Sequence, residues 1–412
     1  MTTSSSPCRN SAQHFGVFRI IFGLYLTCHF ISLLPYATEL FGATGMFGSN
    51  HPSPFRAVWP NPLFFIDWAP LANYMVALGI LSSILLTIGR LRRSAAIYLW
   101  FLSSCLFTAN PFISNPSLGY TGLLLLLSAL TPLGEAFVLG KPSQPNWRMP
   151  RMIPITAWIL LAVGYTFSGF LKLDSPSWID GSALRFVLEN PLARPNFLRD
   201  FLLQLPDFIL EVLTWSTLLL ELFFLPLAFY KKTRPWAWLA MIGMHLGIIM
   251  VIDFADLSLG MLMIHLFTYQ SSWLPARKAN SPHVLFIDGQ CSFCQRSVRA
   301  IMHIDTEQVL RFAPLQGKTA EQLPENCRLK DSPRYDTVIL LENSMTPRIW
   351  RGTDAVLRAI FLSGGISATL WPLHLLPYWL KSRVYQSIAY RRHKLSNNCP
   401  IPSPQQQQLF LP

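Results

Sequence analysis

The residues best suited to chemistry are Asp288-Gly289-Gln290-Cys291-Ser292-Phe293-Cys294. Two cysteines three positions apart at the start of a helix put the first sulfur at the positive end of the helix dipole, which favours thiolate over thiol. Arg296 and Arg299 add positive charge in the next turn. The second sulfur lies one turn further on, within reach of a mixed disulfide formed on the first. Cys291 is thus the candidate nucleophile and Cys294 the resolving thiol, with Asp288, Gly289 and Arg296 in support. Two other readings of the pair stand beside this one. A structural zinc site would recruit Cys327, Cys399 or His393, which do not form the second close pair of a zinc ribbon; alternatively, the spacing is a coincidence in a core helix. The redox reading needs no metal.

A second set of reactive groups sits within or beside long apolar runs, where ionisable side chains are costly and demand a partner or a role. They are Arg19, Glu135, Lys172, Glu211, Glu221, His245 and His265. Arg19, near the end of the first run, is expected to snorkel to the interface as an anchor. Glu211 and Glu221 occupy neighbouring faces of one helix, as packing partners or as catalytic groups, and both histidines fit satisfied core positions equally well. Lys172 closes Tyr165-Thr166-Phe167-Ser168-Gly169-Phe170-Leu171-Lys172-Leu173-Asp174, ahead of Trp178-Ile179-Asp180-Gly181. Among apolar side chains the neutral amine is favoured, and it can serve as base or nucleophile. The alternative is a juxtamembrane lysine reaching the interface.

The elements that must position these groups follow from composition. Of 412 residues only 13% are charged and 51% are hydrophobic, against about 25% charged in an average soluble domain. Disorder, coiled coil and a simple cytosolic enzyme are excluded. Seven cysteines are too few and too scattered for a disulfide-stapled secreted domain. Apolar runs near 15–34, 71–88, 95–113, 120–139, 153–173, 208–230, 236–252 and 258–272 predict about eight membrane spans. The first is too long and too interrupted by Arg19 for a cleaved signal peptide.

Basic residues in alternate connections number twelve on one side (Arg9, Arg90, Arg92, Arg93, Lys141, Arg148, Arg151, Lys231, Lys232, Arg234, Arg277, Lys278) and four on the other (Arg56, Arg185, Arg194, Arg199). Positive residues are retained in the cytoplasm, so both termini are expected there. The prediction is a multi-pass protein of the cell inner membrane.

Residues 1–275 are therefore read as an all-α membrane domain, 276–282 as a linker and 283–412 as a small α/β domain. The last part predicts a strand at Val284–Asp288, a helix at Cys294–His303, a strand pair at Thr337–Glu342 and Arg348–Trp350, and a helix at Asp354–Leu362. The Pro- and Gln-rich tail reads as an irregular end. Fifteen basic and nine acidic residues leave this part with a surplus of six, which fits a surface near anionic lipid headgroups. It has no nucleic-acid-binding motif, so nucleic acid is not an expected partner. Membrane lipid, and a protein or small thiol/disulfide, are.

The C-terminal part resembles the DCC family of thiol-disulfide oxidoreductases. The likeness runs through Asp288, Gly289, Cys291 and Cys294, then Arg311 to Gln316, Asp336-Thr337-Val338, Asp354-Ala355 with Arg358, and Tyr385, Arg391 and Cys399-Pro400. It implies a thioredoxin-like fold and a redox-active dithiol. The stretch Ser168 to Gly181 resembles the signature of the HTTM membrane domain shared with vitamin K-dependent gamma-carboxylase, and Thr233-Arg234-Pro235 followed by His245 adds to it. That likeness implies an isoprenoid quinone, vitamin K-like, as ligand and Lys172 as the base that deprotonates its hydroquinone. Asn115-Pro116-Ser117-Leu118-Gly119-Tyr120 departs from the carboxylase by lacking a histidine, and the carboxylase's lumenal domain has no counterpart here.

The leading expectation is thus a membrane thiol-disulfide oxidoreductase. A carboxylase-like enzyme, and a membrane binding or transport protein with a redox-sensing domain, are the alternatives.

Overall fold

The computed structural model describes residues 7–47, 55–144, 146–288, 292–305, 307–323, 338–344, 346–391 and 408–412. The chain forms two compact units, one of residues 15–269 and one of residues 270–412 with residues 1–14.

The first unit is helical. Its principal helices are α1 (Pro7–Leu33, beginning in the other unit), α2 (Leu71–Ile88), α3 (Arg92–Ala109), α4 (Pro116–Leu130), α5 (Met152–Lys172), α6 (Asp207–Leu222), α7 (Arg234–Val251) and α8 (Ala255–Thr268). A helix thus stands at each of the eight apolar runs. Among the described residues four segments are long and apolar enough to cross a membrane: Ala12–Phe41, Leu71–Ile88, Met152–Lys172 and Arg234–Val251. A fifth is reached if Phe197–Leu203 and Asp207–Leu222, bent by 109° to each other, count as one span. Helices α4 and α8 are shorter apolar helices.

The run at 120–139 is not one helix. Thr131 turns extended at φ −63°, ψ 138°, because the following Pro132 disfavours the helical region for the residue before it. Glu135 consequently lies in a loop. Asn110-Pro111 ends α3 in the same way, with Asn110 extended out of the helix.

That loop corrects the expectation for Arg19. Its side chain does not snorkel: it is 1% exposed. Nη1 donates to Leu86 O at 2.9 Å and also to Thr87 O, while Nη2 donates to Phe137 O at 2.9 Å and Ala136 O at 3.3 Å. Arg92, equally buried, donates from Nη2 to Thr131 O (2.9 Å) and Pro132 O (2.8 Å) and from Nη1 to Ser128 O. Glu135 lies between the two, with Oε1 3.3 Å from Arg19 Nε and 2.9 Å from Arg92 Nε. Leu86, Thr87, Ser128 and Thr131 lie at the C-terminal ends of α2 and α4, where the helix dipole favours cations, and Pro132, Ala136 and Phe137 belong to the loop after α4. Those ends, together with Glu135, offset the burial of two positive charges.

The second unit holds a four-stranded mixed sheet in the order β2-β1-β3-β4. Its strands are β1 (His283–Ile287), β2 (Leu310–Pro314), β3 (Val338–Glu342) and β4 (Arg348–Arg351). β1 runs parallel to β2 and antiparallel to β3, which pairs antiparallel with β4. Parallel neighbours require a crossover, supplied by α9 (Ser292–Ile304). Buried Asp305 fixes the return, accepting from Val309 N (3.1 Å) and Leu310 N (2.9 Å).

β1 is buried along its whole length, as its unbroken apolar run dictates. Leu285 and Ile287 pack on one face with Val298, Ile301, Phe312 and Ala359. Val284 and Phe286 pack on the other with Ala313, Leu315 and Ile339. α10 (Gly352–Leu362), a 3-10 helix at Gly365–Leu375 and α11 (Tyr378–Arg391) complete the unit.

The tail expected to be irregular ends in contact with the sheet. Phe312 N donates to Leu409 O at 2.9 Å, and Leu411 N to Phe312 O at 2.8 Å. Its Leu-Phe-Leu residues supply the apolar side chains that the preceding Gln run lacks.

Candidate functional site

Two regions carry the predicted site residues. In the second unit, β1 ends at Ile287 and α9 begins at Ser292, so the Asp288–Cys294 motif joins a central strand to a helix N-terminus. Gly289 and Cys291 lie outside the described residues. Cys294 and Arg296 fall in the first turns of α9, and their side chains also lie outside. Asp288 is described: its Oδ1 accepts from Gln316 Nε2 at 3.0 Å. Gln316 closes the Arg311–Gln316 motif, so two motifs separated in sequence meet at the mouth of the dithiol loop. Residues proposed for the zinc alternative, Cys327, Cys399 and His393, lie outside the described residues.

At the other end of β1, where Glu342 closes β3, the sheet is tied to α10 by an ion pair. Arg358 donates to Glu342 through Nε (3.0 Å) and Nη2 (2.7 Å), and Trp350 Nε1 donates to the same carboxylate at 2.8 Å. Burial alone would push the Glu342 carboxyl up, but the hydrogen bonds from Arg358 and Trp350, with the Arg358 charge, hold it below the usual carboxylate range.

In the first unit a cavity of about 640 Å³ is lined by Lys172, Glu221, Tyr120, Tyr165, His245 and largely apolar neighbours. Its polar end depends on Gly169. A Cβ there would come within 2.6 Å of Leu222 N and 3.1 Å of Glu221 C, so only glycine lets α5 and α6 touch at this level. The contact sets Lys172, three residues on, against Glu221. Lys172 Nζ pairs with Glu221 Oε2, donates to Ser168 Oγ at 2.8 Å and sits 5.0 Å from the centroid of the Trp178 ring. At 20% exposure Lys172 remains open to the cavity, whereas Glu221 is 7% exposed.

His245, predicted in support, lines the same cavity, and Tyr165 connects it to His265. The Tyr165 hydroxyl is 2.7 Å from His245 Nε2 and 2.8 Å from His265 Nε2, and His245 Nδ1 is 3.3 Å from Ser258 Oγ. One hydroxyl has one proton to donate. His265 Nδ1 has no partner among the described residues, and a buried bare acceptor costs less than a buried orphan N–H. Hence His265 Nε2–H donates to Tyr165, Tyr165 donates to His245 Nε2, and His245 Nδ1–H points to Ser258. Tyr165 stood in the quoted motif, but nothing in the sequence showed that it joins two histidines about 80 and 100 positions away. Glu211 does not line the cavity.

A smaller cavity of about 240 Å³ went unpredicted. Asp256 accepts there from Tyr25 OH (2.9 Å) and Asn115 Nδ2 (3.0 Å), and its Oδ1 lies 3.0 Å from His29 Nδ1. Asn115 also caps α4, accepting from Ser117 N at 2.9 Å. An acidic residue in the first turn of an apolar helix was the available signal.

Comparison with known proteins bears on the second unit. A family model described as DCC1-like thiol-disulfide oxidoreductase matches residues 285–398. A protein of Bacillus subtilis (strain 168) described as "Uncharacterized protein YuxK" is 29% identical over 136 residues, covering 31% of this chain and 93% of the relative. No solved structure matches the chain significantly. Together these findings support a C-terminal DCC1-like thiol-disulfide oxidoreductase domain and a redox role.

Proposed function

We propose that the protein is a multi-pass membrane thiol-disulfide oxidoreductase whose C-terminal domain is thioredoxin-like and acts in the cytoplasm. The observation that carries this reading is the Asp-Gly-x-Cys-x-x-Cys motif between β1 and α9, inside the stretch matched by the DCC1-like model. The sheet order, with parallel strands joined through the helix that follows the motif, supports a thioredoxin-like domain.

The Cys291 thiolate attacks a partner disulfide, forming a mixed disulfide and releasing one partner thiolate, which takes up a proton. The Cys294 thiolate then attacks the Cys291 sulfur, releasing the second partner thiol and leaving a Cys291–Cys294 disulfide. Two electrons pass to the partner. In a reducing cytosol such pairs are usually catalytic rather than structural. The test uses the full chain in lipid nanodiscs with a fluorogenic disulfide. Cys291→Ser should abolish reduction; retained activity would sink the proposal.

The membrane domain, in the same reading, binds an apolar ligand with a polar head, an isoprenoid quinone or a lipid, in the Lys172 cavity. A carboxylase-like reaction with Lys172 as base is the second reading, favoured by a lysine open to a largely apolar cavity beside Glu221. Under it, Lys172→Ala should abolish a hydroquinone-dependent reaction in membranes, and an unchanged rate would rule that role out. A binding or transport protein with a redox-sensing domain predicts quinone or lipid binding that changes with the thiol state and no turnover.

A further inference from the structure

The described large hydrophobic residues exposed in the second unit are confined to one stretch, Leu370 to Val384. Leu370, Leu373, Leu375, Leu376, Tyr378 and Trp379 are its main members, with Leu375 77% and Tyr378 75% exposed. A small domain with an otherwise well-covered core rarely leaves such a patch without use. The patch is also held in shape. Lys381 Nζ donates to Asp354 Oδ1 (2.7 Å) and to His374 O (2.9 Å), and Thr353 Oγ1 donates to Lys381 O (3.1 Å). These bonds tie α11 to the 3-10 helix and to α10. Trp371 packs inward on Phe361 at 4.9 Å, while the leucines, Tyr378 and Trp379 face outward.

In sequence this end of the chain is basic: no Asp or Glu occurs after Asp354, whereas Arg383, Arg391, Arg392 and Lys394 do, besides Lys381 and Arg358, whose charges are met by Asp354 and Glu342. Arg383 lies 5.7 Å from the centroid of the exposed Trp379 ring. Aromatic rings and leucines flanked by cations suit the headgroup level of a bilayer, where rings take the apolar side and cations meet lipid phosphates.

The 3-10 helix that opens the patch is tied to the segment by which the chain enters this unit. Gly365 N donates to Leu274 O at 2.7 Å, and Leu274 is six residues beyond Thr268, the end of α8. Six residues reach about 20 Å at full extension.

We propose that the Leu370–Val384 surface is an interfacial docking site for anionic phospholipid, holding the redox domain against the cytoplasmic leaflet. This rests on the membrane reading above, and the test separates the two. Single-cysteine variants Trp379→Cys, Leu375→Cys, Ser344→Cys and Leu78→Cys are made in the full chain with native cysteines other than buried Cys105 replaced by serine. Each is labelled with an environment-sensitive dye in nanodiscs of phosphatidylcholine and phosphatidylglycerol carrying nitroxide lipids.

Labels at 375 and 379 should be quenched several-fold more by a shallow nitroxide than the label at exposed Ser344, and less so in discs of phosphatidylcholine alone. Quenching equal to that at 344 would overturn the proposal, as would a dye buried equally with and without quencher lipid, the sign of a second copy on the patch. Quenching indifferent to phosphatidylglycerol would overturn the anionic preference. Leu78, outward on α2, reports the premise: without deep-nitroxide quenching there, the membrane reading falls first. Hydrogen exchange of the unaltered chain gives a second readout that needs no substitution. Amides of Tyr378–Arg391 should exchange several-fold more slowly in phosphatidylglycerol discs than in phosphatidylcholine discs, and equal rates would contradict anionic docking.

Discussion

The helical unit contains two charge clusters built from similar groups and put to different uses. Arg19, Glu135 and Arg92 are sealed at 1% exposure or less in their side chains, with the two guanidiniums held by Glu135, by helix-end carbonyls and by carbonyls of the loop after α4. Lys172 and Glu221 form one pair, with Lys172 left 20% exposed at the edge of a cavity. The contrast teaches that a charge buried among apolar helices is not a functional signal by itself. What separates them is access: Arg19 and Arg92 are enclosed, while Lys172 stays open to the cavity.

The largest way to break this contrast is at the sealed cluster. Glu135→Gln leaves two buried arginines sharing helix ends without a carboxylate, and removing one partner of a buried pair costs about 3–5 kcal/mol. Thermal unfolding in detergent should show a large loss of stability, and a near-neutral result would mean the cluster is hydrated.

Tyr165→Phe comes next, because it leaves two buried imidazoles without their shared hydroxyl. A cost of about 1–3 kcal/mol is expected, measured in the same assay. Lys172→Met leaves the largely buried Glu221 without its partner and should cost about 1–3 kcal/mol, less than Glu135→Gln, yet weaken binding of a quinone probe at least about tenfold. Equal losses of stability at Lys172 and Glu135 would erase the distinction between a ligand site and a staple.

The smallest effect is a pH dependence in the redox domain, away from both clusters. Burial, helped by Lys381 and Arg358 and opposed by Asp354, holds the His374 imidazole below the usual histidine range. Glu342 is likewise held below the carboxylate range. In both cases the unfolded chain takes up its proton first as pH falls. Their contributions are therefore complete above the unfolded values, about 6.5 and 4.3, and are lost as pH drops through the folded ones. Acid titration should weaken the domain in two stages, and Glu342→Gln should remove the lower one.

Much of the redox domain was legible because its signals are local. The apolar run of Val284–Asp288 became β1 shifted back by one residue, and Asp354–Leu362 became α10 with two residues added at its start. β2 was missed as a strand because Arg311 and Pro314 interrupt its five residues. The 3-10 helix at Gly365–Leu375 escaped notice because it has no 3.6-residue period to detect.

In the helical unit the apolar runs located the helices, but Pro132 shortened one of them and moved Glu135 into a loop. Lys172 and His245 were identified from motif likeness. Their meeting at one cavity depends on Gly169 admitting α6, a tertiary contact with no local signature. His29 was missed for the same reason: Tyr25 and His29 of α1 meet Asn115 before α4 and Asp256 in the first turn of α8, which lie far apart in sequence.

The central claim is that Cys291 and Cys294 exchange disulfides in sequence, and a trapping experiment tests it most directly. Full-length protein carrying Cys294→Ser is mixed with a disulfide-bonded peptide in nanodiscs and analysed by mass spectrometry without reductant. The account predicts a stable mixed disulfide on Cys291 that the unsubstituted chain resolves and the Cys291→Ser chain never forms. An adduct absent from Cys294→Ser, or equally abundant in Cys291→Ser, would contradict it.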